Sequence, residues 1–114
     1  MTRDDVPFVQ ALAGTLLAAA VPGLADAERA GAARFTAERL SRAPTATALG
    51  LRAIGGGLDA QVRLVERRPF AALGEDARAR WVTRWSARPL PGLTDYLDAV
   101  RSLALTWLYE QRAA

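Results

Sequence analysis

The side chains in this chain that could do chemistry are carboxylates, arginines, hydroxyls and two tyrosines. The sequence holds no Cys, His, Lys or Asn, and all 15 of its basic residues are Arg. Without Cys there is no disulfide, thiolate nucleophile or zinc–thiolate site. Without His the usual proton shuttle near neutral pH and the commonest metal ligand are gone. Without Lys there is no Schiff base and no Walker-type phosphate lysine. Catalysis would have to rest on carboxylates, Tyr or Ser/Thr.

The carboxylates are poorly arranged for it. Asp4/Asp5 and Glu75/Asp76 are adjacent acids. Sequence neighbours on a helix diverge by about 100°, which defeats a shared proton. Both pairs fall at expected helix starts, where acids complement the dipole. Gly55-Gly56-Gly57-Leu58-Asp59-Ala60 formally matches the GxGxxA variant of a dinucleotide fingerprint. That fingerprint works only as a turn between a buried strand and a helix, and Thr45 to Ile54 reads as helix. Gly50 to Gly55 has Walker-like spacing, but Gly56 stands where Lys is required. No catalytic, cofactor-binding or metal-binding residues are therefore assigned.

The remaining candidates are binding residues. Arg80, Arg84 and Arg88 recur every four residues and line one side of a helix, a solvated face or a contact for an acidic surface or phosphate. Leu105, Trp107 and Tyr109 widen the apolar surface of the last helix beyond one core-facing stripe. Trp, Tyr and Arg tend to dominate binding energy at protein interfaces. These six residues form the expected partner interface, with the arginines as its polar rim.

Apolar residues recur at helical spacing in every long segment, and no segment alternates like a strand. The first helix is expected from about Asp5 to Ala20, ended by Pro22-Gly23. The stretch Phe8 to Val21 reads as a core helix rather than a signal peptide, because Asp4 and Asp5 precede it. A second helix is expected from Ala25 to Ser41, with Arg34 and Glu38 placed to pair across one turn. A third starts near Thr45 or Thr47 and carries Leu51, Ile54, Leu58, Val62 and Val65. Three glycines in a helix cost about 1 kcal/mol each relative to Ala, so Gly55–Gly57 is expected to break or distort it. Arg67-Arg68-Pro69 ends this element. A fourth helix is expected from Glu75 to Ala87, and Pro89-Leu90-Pro91-Gly92 forms a rigid connector. The last carries Leu93, Tyr96, Leu97, Val100, Leu103, Ala104, Trp107 and Leu108, with Thr94 and Asp95 as caps. Trp85 and Leu103 are expected in the core.

The expectation is an all-α fold, a bundle of about five helices in one domain over residues 1–114. A chain of this length can bury roughly two-thirds of its unfolded surface. The net charge of +3, with acids spread among the bases, is too mild to imply nucleic acid by itself. No stretch approaches the ~20 apolar residues of a membrane span.

Two stretches resemble known proteins. Leu16 to Leu40, LLAAAVPGLADAERAGAARFTAERL, resembles the opening of the small (gamma) subunits of gluconate-dehydrogenase-like flavoenzymes, where a helix ends at a Pro and a loop leads to an Ala/Gly-rich helix with a Phe. Phe70 to Tyr109 is similar to the helical N-terminal region of some long-chain alcohol and sterol oxidases of the glucose–methanol–choline (GMC) type. There a Phe–Leu pair precedes an acidic helix start, an Arg, a Trp and an aromatic-ended helix. The matching residues here are Phe70, Leu73, Glu75, Arg78, Trp85 and Tyr109.

The resemblance implies a non-catalytic accessory subunit in a hetero-oligomer with an FAD-dependent chain that oxidises an alcohol, sugar or sterol. FAD is then expected in the partner and no cofactor in this chain. Such flavoenzymes use His in catalysis, so no catalytic role carries over to a chain without His. Family gamma subunits often bear a twin-arginine export signal; none is seen here, and a cytoplasmic complex is expected. Two other readings stand beside it: a standalone regulatory helical domain that binds nucleic acid through its Arg face, and a small enzyme or ligand carrier with an apolar cavity between helices.

Overall fold

The computed structural model describes residues 6–88 and 90–114, with the side chains at 45, 46, 48, 49 and 91 outside the description. The expected Asp4/Asp5 pair and Pro89 lie outside the described residues. The architecture is all-α: α1 Val6–Ala20, α2 Asp26–Ser41, α3 Thr45–Glu66, a 3-10 turn at Phe70–Ala72, α4 Glu75–Ser86 and α5 Pro91–Ala113. No strand occurs among the described residues.

Helix α1 is the central post. Phe8, Val9, Leu12, Ala13, Leu16 and Leu17 are all buried. A helix apolar on most sides needs neighbours around it, and α2, α4, α5 and the 3-10 turn pack on α1. Each large aliphatic side chain buried there contributes roughly 1.5–3 kcal/mol. Gly23 ends the α1 segment with φ +77°, a conformation that favours glycine.

Helix α2 approaches closely because its inner face is small: Gly31, Ala32, Ala33 and Ala37 are buried. The Trp107 indole of α5 lies where a Cβ on Gly31 would be, so this glycine is fixed by packing. The buried Thr36 hydroxyl donates to the Ala32 carbonyl at 2.8 Å and so is satisfied within its own helix. At the α2 start, the Glu28 carboxylate accepts the Ala25 N–H at 3.2 Å and two bonds from the Arg112 guanidinium at 3.0 and 3.1 Å. The expected Arg34–Glu38 pair does not form; both side chains are exposed, and neither is in an ion pair with a described residue.

The expected break at Gly55–Gly57 is absent, and α3 runs through it. Its apolar stripe keeps phase on both sides of the glycines. Leu51 and Ile54 are packed against the core, and Leu58 and Val62 are buried in it. That packing outweighs the glycine propensity cost. Gly55 is needed sterically: an added Cβ would sit 2.9 Å from the Tyr96 hydroxyl and 3.6 Å from the Phe8 ring. Gly56 and Gly57 would meet nothing within 4 Å. The helix ends as expected at Arg67, which adopts φ +62° and donates its N–H to the Arg63 carbonyl.

Asp59 locks the α3 exit, accepting the Phe70 N–H at 2.9 Å and Arg63 Nε at 3.1 Å. This holds Phe70 in an aromatic cluster with Phe8, Trp85 and Trp81, whose neighbouring ring centroids lie 5.4–6.3 Å apart. Trp85 is fully buried, as expected, whereas Leu103 lies partly buried at the edge of the α5 stripe.

Candidate interaction surface

The six residues expected at an interface do not form one patch. Leu105 and Trp107 lie roughly 200° apart around the α5 axis. Both are partly buried and packed on the core, Trp107 against Gly31. Tyr109, one turn beyond Leu105, is 61% exposed. Arg80 and Arg84 are exposed on α4, and Arg88 is exposed just beyond its end. Arg80 and Arg84 stand off the Val82, Thr83 and Ser86 face, which shares a cleft with Arg101 of α5.

A second feature surfaces where α4 meets the end of α3. The Trp81 indole donates to Glu66 Oε2 at 3.4 Å and the Trp85 indole to Gln61 Oε1 at 3.2 Å. Val65 lies between Gln61 and Glu66 in helical angle, yet it is 62% exposed, and neighbouring Leu64 is 79% exposed. Near the end of α3 the two indoles thus reach polar groups on either side of Val65, while Val62 one turn earlier is fully buried. Arg84 stacks over the Trp81 ring at 4.8 Å. Arg67 and Arg68 follow the helix end, so they stand next in the chain to the exposed aliphatic pair. Neither of them is in an ion pair with a described residue. Arg63 nearby is engaged by Asp59, while Asp76 is exposed one turn before Arg80.

The sequence reading missed this corner because Val65 continues the α3 core stripe. The signal that marks it is compositional: Arg63-Leu64-Val65-Glu66-Arg67-Arg68 sets aliphatics among charges at a helix end.

Arg29, Arg63, Arg78, Arg101 and Arg112 are held by carboxylates of the chain itself. Arg29 clasps Glu75 with two bonds of 2.7 and 2.9 Å, and Arg78 approaches the same carboxylate at 4.0 Å. Gly14 makes room for this, since a Cβ there would sit 2.8 Å from Arg29 Nε. The Arg29 hydrogen bonds hold the Glu75 carboxyl below the usual glutamate range. Glu28 is lowered likewise, chiefly by Arg112. Arg29 and Arg78 line an open cleft of about 400 Å³ between α1 and α2, but Glu75 already takes the strong donors of Arg29. The glycine-rich fingerprint sits inside α3, where backbone N–H groups serve the helix rather than a phosphate turn. No group of three or more potential metal ligands occurs among the described residues, and no helix of theirs is long and apolar enough to cross a membrane. Compared with known proteins, the chain matches no family, no curated protein and no solved structure.

Proposed function

We propose that this chain is a non-catalytic accessory subunit that binds a larger enzyme chain. The observation that carries the binding role is the exposed Leu64–Val65 pair, with Arg67 and Arg68 next to it at the helix end. Aliphatic side chains in water beside guanidinium groups suit a protein contact, where apolar burial supplies affinity and charge supplies orientation. Phosphate backbones would use the arginines but gain nothing from the aliphatic pair, and the indole faces that could stack on bases are buried at Trp81 and Trp85.

The partner class comes from the resemblance of Leu16–Leu40 and Phe70–Tyr109 alone. It suggests an FAD-dependent dehydrogenase or oxidase of the GMC type acting on an alcohol, sugar or sterol, in a cytoplasmic hetero-oligomer. FAD would belong to that partner. The test is co-expression with such a flavoprotein from the same organism, followed by size-exclusion chromatography and an activity assay. A co-eluting pair, with the flavoprotein less soluble or less active alone, is expected. Separate elution with a fully active flavoprotein contradicts the reading.

A further inference from the structure

We infer that the cleft between α1, α2 and α4 takes a small organic monocarboxylate on Arg78, a ligand site separate from the protein contact proposed above. The cleft has a volume of about 400 Å³. Its walls are small and apolar, at Ala11 and Gly14 of α1 and Ala30 of α2. Its polar groups are Gln10, Asp26, Arg29 and Arg78. Arg78 is the one left short of partners. Its side chain is only 21% exposed, and its Nε is buried with no hydrogen-bond partner. Its contact with Glu75 is the loosest of the ion pairs, at 4.0 Å, and that carboxylate is already gripped by Arg29 at 2.7 and 2.9 Å. A guanidinium drawn this far out of water loses hydration that Glu75 does not restore. An oxygen acceptor in the cleft supplies what is missing. Arg34 gives the contrast: it is exposed on α2, and water satisfies it.

The neighbours of Arg78 set the chemistry of the ligand. A planar carboxylate matches the forked guanidinium. Gln10, half-buried on the α1 side, adds an amide that can donate to the ligand or accept from it. Asp26 lines the same cleft from α2 and is exposed. Together with Glu75 it balances the charges of Arg29 and Arg78. The cleft therefore has no excess positive charge to hold a phosphate dianion or a polyanion, and a single negative charge placed on Arg78 suits it best. The alanine walls fit a short aliphatic body, and the volume falls within the range of small-molecule sites.

The test titrates the purified full chain with butanoate, with butan-1-ol as the uncharged analogue and with inorganic phosphate. The readout is the nitrogen–proton NMR spectrum, followed at the arginine Nε–H signals and the backbone amides, with the exposed Arg34 and Arg80 as controls. Butanoate should shift the Arg78 Nε–H and the amides of Ala11 and Ala30 along one saturable curve, with a Kd below about 10 mM. Butan-1-ol and phosphate should bind about tenfold more weakly or worse. Arg78→Gln should weaken butanoate by about tenfold or more. Ala30→Leu keeps every charge and fills the cleft from its exposed side. It should weaken butanoate as well, and it serves if Arg78→Gln does not fold. The absence of a saturable shift, equal shifts at Arg34 and Arg80, equally tight binding of butan-1-ol or phosphate, or indifference of butanoate to either replacement in a folded variant overturns the site.

Discussion

Gly31 and Glu75 carry opposite kinds of sensitivity. A Cβ at Gly31 would overlap the Trp107 indole at a helix–helix contact, and a partly buried ring packed on the core has little room to swing aside. Gly31→Ala should therefore destabilise the fold by about 1–3 kcal/mol, the usual range for overpacking, despite the better helix propensity of Ala. Urea melts measure this, and an unchanged midpoint would show that the α2–α5 contact is looser than described. Glu75 acts through protonation. Its folded pKa is depressed by the Arg29 hydrogen bonds, so its contribution is complete above the unfolded value of about 4.3. The contribution is lost as pH falls through the lowered folded value. Glu75→Gln should lower stability at neutral pH and flatten the acid limb of a stability–pH curve. Parallel curves for the two proteins would remove the pair from the account.

At the level of elements, helix α3 separates what could be read in the sequence from what could not. Its stripe of Leu51, Ile54, Leu58 and Val62 was legible, and so was its end at Arg67-Arg68-Pro69. Whether Gly55–Gly57 breaks it was not, because propensity opposes the helix locally while the packing that sustains it comes from Phe8 and Tyr96. Only tertiary contact separates the three glycines. Gly56→Ala and Gly57→Ala should each stabilise the protein by up to about 1 kcal/mol, while Gly55→Ala should not, given the Tyr96 hydroxyl. Thermal melts of the three variants check this, and three equal shifts would contradict the packing at Gly55. The interface residues were less legible than the fold. Periodicity expected Arg80, Arg84 and Arg88 along one helix, whereas Arg88 falls beyond the end of α4, and it could not tell that Trp107 packs on Gly31 or that Val65 leaves the core. Both depend on where a neighbouring helix stops.

For the whole molecule, the observations join into a helical body tied at several points by ion pairs, with the aliphatic pair Leu64–Val65 exposed at the end of α3. The other four helices pack around α1, and the indoles of the aromatic cluster reach Gln61 and Glu66 near the end of α3. A surface backed by rigid elements loses little conformational freedom on binding, which favours recognition of a partner. The central claim is that this body works as a subunit. It is tested most directly by sedimentation of the chain co-expressed with a GMC-type flavoprotein of its own organism. One boundary is expected, carrying flavin absorbance at a mass above that of the flavoprotein alone. A flavin-bearing boundary at the flavoprotein's own mass, with this chain sedimenting separately at 12.2 kDa, would contradict it.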